Sequence, residues 1–275
     1  MTTLNACSGR KPGNLYAADV YAFRVRTLGR GPRLVLIHGS VTASATFRRQ
    51  RPLAERFRLI IPDRPGYRPN PPLRRIDFAE QAHELAPLLE DGSHLLGFSY
   101  GGVIALLAAC ERPDAVRSLT VIEPPCFGVA RGMPAVDALV AEMAEIWHEE
   151  TNPEAFLRRF SVAFGPTGQV PNRVRPGQEQ GVAALMAERG PWEAEIPLAD
   201  LRRHPFPKLV CSSGSHPAFE AVCDSLELGL GAERAMLAGA GHAVHGATGF
   251  NERLLEFLTA AERPPEARRT PPGEL

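Results

Sequence analysis

The runs Leu34-Val35-Leu36-Ile37 and Leu59-Ile60-Ile61 are apolar at every position instead of every second one. A strand with one face in water alternates, so a strand that does not alternate must be covered on both faces. That is the situation in a parallel sheet packed between helices. Strand-like runs at 22–28, 33–37, 58–61, 94–97, 118–123, 208–212 and 234–238, with helical patterns over 77–89, 101–109 and 251–260, predict an α/β domain built on such a sheet.

From 124 to 206 the pattern changes. No strand-like run occurs there, and four amphipathic stretches at 133–150, 153–164, 178–189 and 199–203 are separated by breaks such as Gly165-Pro166-Thr167-Gly168. The expected division is a core of 15–123 and 207–262, a helical cap of 124–206 inserted between two core strands, and flexible termini at 1–14 and 263–275. Insertions of this kind commonly lie over active sites as lids.

Composition narrows the function. Thirty-one basic side chains balance 31 acidic ones, which gives no electrostatic reason to expect nucleic acid or an anionic membrane as partner. The apolar run at 103–110 is far shorter than the ~20 residues of a spanning helix. The polar N-terminal stretch lacks a signal core, so the expected location is the cytoplasm. Five cysteines without a C-x-x-C pair are expected to be reduced and to bind no metal.

The chemistry is carried by three short motifs. His94-Leu95-Leu96-Gly97-Phe98-Ser99-Tyr100-Gly101-Gly102 runs from a predicted strand straight into a predicted helix and contains G-x-S-x-G. A nucleophile there sits on a turn so tight that only glycine fits on either side. Leu34-Val35-Leu36-Ile37-His38-Gly39-Ser40 ends a buried strand in His-Gly, where the Ser40 amide, with that of Tyr100, is positioned to bind an oxyanion. His38 reads as structural, bonded to loop backbone. Leu237-Ala238-Gly239-Ala240-Gly241-His242 places a histidine on a glycine-rich loop after the last strand, following Ser99 in chain order as a general base should. His245 is the rival.

Together with the turn Asp63-Arg64-Pro65-Gly66-Tyr67, these motifs stand in the order seen in the α/β-hydrolase superfamily, which the chain resembles over roughly 20–260. The resemblance implies an eight-stranded, mostly parallel sheet, a helical cap, and a nucleophile–acid–base triad that works without a cofactor. One departure stands out. Family members commonly carry the acid just after the strand that follows the cap, and here that turn reads Ser212-Ser213-Gly214-Ser215-His216-Pro217, without a carboxylate.

The acid is assigned to Glu123, which ends the run Leu119-Thr120-Val121-Ile122 before Pro124-Pro125 turns the chain away; Asp224 and Glu220 are the rivals. A Glu after four buried-strand residues is uncommon unless paired. The expected activity is hydrolysis of an ester, thioester or lactone through an acyl-enzyme on Ser99, with a small, apolar acyl substrate. Phe127, Met133, Trp147, Phe156, Phe160, Phe164 and Trp192 supply candidates for the acyl pocket, no more than half of them expected to line it. Perhydrolysis and carbon–carbon bond hydrolysis use the same constellation, and a cyclase or ligand receptor can be built on the same scaffold. A dinucleotide site is disfavoured, because Gly239-Ala240-Gly241 is followed by Val244 at the sixth position.

Overall fold

Seven strands, β1 (Arg24–Leu28), β2 (Arg33–Ile37), β3 (Arg58–Asp63), β4 (Ser93–Phe98), β5 (Val116–Ile122), β6 (Lys208–Ser212) and β7 (Glu233–Met236), form one sheet in the order β1-β3-β2-β4-β5-β6-β7. This computed structural model describes residues 24–164 and 173–263. Every neighbouring pair is parallel except β1 with β3. The sheet therefore has seven strands among the described residues, one fewer than the resemblance implied. The expected flexible termini fall almost wholly outside the described residues, as do Cys7 and the Gly165–Gly168 break.

The sequence-level demand for cover on both faces is met literally. Val35, Ile37, Leu95, Leu119, Val121 and Val210 pack into one core with α1 (Phe78–Leu85), α2 (Tyr100–Glu111) and α7 (Pro217–Leu230). Leu34, Leu36, Leu96, Ile122 and Leu209 pack into a second with α8 (Phe250–Ala261) and the 3-10 segment Ser44–Glu55. Adjacent residues of one strand thus belong to opposite cores, as the pleat requires.

The chain leaves β2 to pair on one side with β3 and later returns to pair on the other side with β4. A crevice opens at the carboxyl ends of strands where the winding reverses in this way. Between β5 and β6 runs the helical segment, with α3 (Pro134–Glu149), α4 (Pro153–Ala163), α5 (Glu179–Ala187) and α6 (Leu198–Arg203). Its only extended pairing among the described residues is an isolated parallel bridge between Glu188 and Ile76. Asp77 accepts from the Ala79 and Glu80 amides at the start of α1, and Asn152 does the same for Glu154 and Ala155 at α4, so both helices begin on side chains that satisfy orphan donors.

Cys126, Cys211 and Cys223 are buried free thiols, and burial pushes the first two up to about 12. Cys110 is disulfide-bonded, which corrects the expectation of five reduced thiols. Among the described residues no helix is long and apolar enough to cross a membrane.

Candidate active site

Ser99 stands at the joint of β4 and α2 with φ 52° and ψ −126°. This is left-handed territory for a residue with a Cβ, at a cost of ~1–3 kcal/mol that the surroundings must over-determine. They do so with glycines. A Cβ on Gly97 would lie 2.6 Å from Gly102 Cα and 2.7 Å from Ala105 Cβ, one on Gly101 would overlap the carbonyl oxygens of Ile37 and His38, and one on Gly102 would lie 2.9 Å from Pro124 Cβ. The Ser99 amide donates to the Ile122 carbonyl at 2.9 Å, pinning the turn to the end of β5. Although Ser99 is the residue capping α2, its hydroxyl makes no capping bond.

That hydroxyl lies 3.0 Å from His242 Nε2, and His242 Nδ1 lies 2.7 Å from Glu123 Oε2. Glu123 is 1% exposed and also has a positive φ, 40°. Its amide donates to the Cys211 carbonyl, which ties the end of β5 to β6. Its other oxygen, Oε1, accepts from the Ser213 amide at 2.8 Å and from the Ser213 hydroxyl at 2.6 Å. With Oε1 taken by Ser213, Oε2 faces His242 as an acceptor, so the Nδ1 nitrogen carries the imidazole proton and Nε2 is left to accept from Ser99. The His242 ring sits among Phe98, Phe164 and Phe219, at centroid distances of 5.1, 5.3 and 4.8 Å.

The rivals lie elsewhere. Glu220 accepts from Arg234, Ser212 and the Gly214 amide, and Asp224 pairs with Arg234 while 70% exposed. His245 is buried against Phe98 at 4.3 Å, and burial, with the charges of His242 and Arg49 adding to it, lowers its pKa to about 4.

The loop after β2 lies on the elbow, because a Cβ on Gly39 would come within 2.9 Å of Ser99 Cβ. It carries Ser40, while Tyr100 is the first residue of α2, where an amide has no partner within the helix. His38 is structural in role: Nδ1 donates to the Gly39 carbonyl at 2.7 Å and Nε2 accepts from the Arg64 amide at 2.9 Å. Burial first, then Arg64, lowers its pKa to about 3, so it is neutral.

Beneath this loop is a cluster that the motifs did not announce. Arg64, fully buried, donates to Glu188 Oε1 at 2.6 Å, to the Gly39 carbonyl at 3.0 Å and to Gln81 at 2.8 Å. Its guanidinium stacks on the rings of Tyr67 and Tyr100. Tyr67 donates to Glu188 Oε1 at 2.7 Å, and the Ser40 hydroxyl donates to Glu188 Oε2 at 2.5 Å.

Of the seven candidate pocket residues, Phe164 is the one whose ring packs against His242. Phe156, Phe160 and Trp192 each meet the Trp147 ring edge-on inside the helical segment, and Met133 is exposed. Phe219 and Phe98, which sequence reading did not single out for the site, flank the imidazole instead. Among the described residues no group of three or more His, Cys, Asp or Glu side chains is placed to hold a metal ion.

Known proteins resemble the chain in sequence and in fold. A pimeloyl-[acyl-carrier protein] methyl ester esterase of Aeromonas hydrophila subsp. hydrophila is 35% identical over 116 residues, 41% of this chain and 46% of that protein. The chain thus spans less than half the length of that curated relative. Among solved structures, a bromoperoxidase from Bacillus anthracis superposes with a TM-score of 0.67 at 21% identity, covering 86% of this chain and 94% of that one. MenH from S. aureus superposes with a TM-score of 0.63 at 15% identity, covering 87% and 99%. At such identities the structural likeness is one of fold. The sequence model of the alpha/beta hydrolase family matches residues 34–251, and the chain belongs to that family.

Proposed function

We propose that the protein is a cofactor-free serine hydrolase of carboxylic esters, thioesters or lactones, with Ser99 as nucleophile, His242 as base and Glu123 as acid. The observation that carries this is the continuous line Glu123 Oε2, His242 Nδ1, His242 Nε2, Ser99 Oγ, with 2.7 Å and 3.0 Å steps. As Ser99 adds to the acyl carbon, its proton passes to His242 Nε2, and Glu123 stabilises the imidazolium. The carbonyl oxygen takes up the electron pair and is held by the Ser40 and Tyr100 amides. Collapse of the tetrahedral species expels the alkoxide or thiolate, which takes the proton from His242. Water then repeats the sequence on the acyl-enzyme and releases the carboxylic acid.

The aromatic surround of His242 suits an apolar acyl chain, with segment 124–206 acting as the lid above it. The relative's action on a methyl ester carried by an acyl-carrier protein supports an acyl ester as the substrate class. The test is a chain-length series of nitrophenyl esters run beside lactones, with fluorophosphonate labelling of the wild type and of Ser99→Ala. Turnover and labelling of the wild type, with loss of on the order of 10³-fold or more in kcat and of the label in Ser99→Ala, are expected. Activity within tenfold in Ser99→Ala overturns the assignment.

A further inference from the structure

The loop that presents the Ser40 amide is held from outside the core. The Thr42 amide donates back to the Ser40 carbonyl at 2.8 Å, closing a turn of three residues around Val41, whose φ is 67°. A positive φ is a genuine outlier for a β-branched residue, and tight turns of this hand are rare and strained. Such a turn persists only where neighbours prevent its relaxation.

Two contacts provide that restraint, and both come from one stretch of the helical segment. Gly181, in α5, approaches so closely that a Cβ on it would overlap the Val41 carbonyl oxygen. Glu188, just past the end of α5 and 3% exposed, takes the Ser40 hydroxyl on Oε2. Glu188 is itself fixed on every side. Oε1 is held by Arg64 and Tyr67, its carbonyl accepts from Trp147 Nε1 at 2.9 Å, and its backbone bridges to Ile76.

We infer that Glu188 is a positioning residue for the oxyanion hole: by anchoring the Ser40 hydroxyl while Gly181 backs the Val41 turn, the helical segment keeps the Ser40 amide aimed at the developing oxyanion. This rests on the serine-hydrolase reading above. Glu188 touches no reacting atom, and its direct link to the oxyanion hole is the Ser40 hydroxyl. The contribution is realised when charge reaches the carbonyl oxygen, so its loss lowers kcat more than it raises KM.

The test compares Glu188→Gln, Ser40→Ala and the double variant with wild type and Ser99→Ala on a nitrophenyl ester. It also measures affinity for an alkyl trifluoromethyl ketone. In that adduct Ser99 Oγ bonds to the ketone carbon, its proton passes to His242, and the oxyanion occupies the hole. Ser40→Ala keeps the backbone amide and removes only the anchor, so it decides the matter even if Glu188→Gln fails to fold for want of a full partner to buried Arg64.

The expected result is a fall of about tenfold to a hundredfold in kcat, short of the ~10²–10³ for deleting a donor outright. Ketone affinity should fall in parallel, with KM within about threefold and the double variant no worse than the poorer single one. Wild-type kcat and ketone affinity in Ser40→Ala overturn the inference and leave Glu188 as an anchor of the helical segment alone. If Ser99→Ala is as active as wild type, the underlying serine-hydrolase reading fails first, and that outcome is distinct.

Discussion

Ser213 holds the Glu123 carboxylate with two donors at once, its amide at 2.8 Å and its hydroxyl at 2.6 Å, both on Oε1. With that oxygen occupied, Oε2 is the one that faces His242. The turn after β6 therefore contributes to the site through a serine that orients a carboxylate from β5. Ser213→Ala should lower kcat about tenfold, because a hydrogen bond to a charged group is worth ~1.5–3 kcal/mol and the backbone donor persists. Steady-state kinetics beside Ser213→Thr, which restores a hydroxyl, checks this. Equal loss in both variants would show that the hydroxyl is not what matters.

Glu123→Gln presents an amide to His242. If Ser213 keeps its hold on the side-chain oxygen, the NH2 group faces Nδ1, and the imidazole must put its proton on Nε2, where it cannot accept from Ser99. The expected loss in kcat is of order 10²–10⁴ with the fold retained. Asp224→Asn, at the Arg234 ion pair on the surface, should leave kcat within about twofold. The reverse ranking would move the acid to α7.

Gly101→Ala should cost far more than its single methyl suggests. The added carbon meets two backbone carbonyls, those of Ile37 and His38, and neither can rotate away. Overpacking of this kind costs ~1–3 kcal/mol or more, and any relief must move the elbow. Gly246→Ala is the control, since nothing lies within 4 Å of its added Cβ. Thermal denaturation and ester turnover should separate the two, with Gly246→Ala close to wild type in both.

Acid should weaken the fold through its buried histidines. His38 has its pKa lowered to about 3 by burial and then by Arg64, and His245 has its lowered to about 4 by burial and then by His242. In the unfolded chain both protonate near the ordinary 6.5. Below that value the unfolded state holds more protons than the folded one, so stability is fullest above about pH 6.5 and falls as pH drops toward 4. Urea midpoints at about pH 7.5 and about pH 5 should differ in wild type, and the difference should shrink in His245→Phe, where a ring packs on Phe98 without a proton to gain. A flat profile in wild type would contradict both assignments.

The strands were legible because burial on both faces leaves nothing to alternate, and β2 and β3 are found within two residues of the expected bounds. What the sequence did not reveal was the antiparallel pairing of β1. Its five residues are all exposed at the sheet edge, so no core contact fixes its direction in the pattern. Ser99 and His242 could be read because each sits in a local glycine signature. Glu123 was reached through the missing carboxylate after β6 and the buried run before it. Glu188 could not be reached at all. On an amphipathic stretch a glutamate reads as solvated, and its burial depends on Arg64 and Ser40, 124 and 148 residues away. The only hint was Arg64 in the turn after β3, a cation next to a buried strand that would need an anion from somewhere.

The chain leaves the sheet at Glu123 and re-enters it at Lys208. Ser99, Glu123, Ser213 and His242 all lie outside that excursion, so chimeras that exchange the residues between as a module cut at two strand ends without touching the hydrogen-bonded line from carboxylate to serine. Ser40 is different, because its hydroxyl partner travels with the module. A transplanted segment that brings new substrate preferences but no acidic residue at the place of Glu188 would also leave Arg64 as a buried cation without its carboxylate. Graft design in this scaffold is therefore governed by an electrostatic contact far from the splice points.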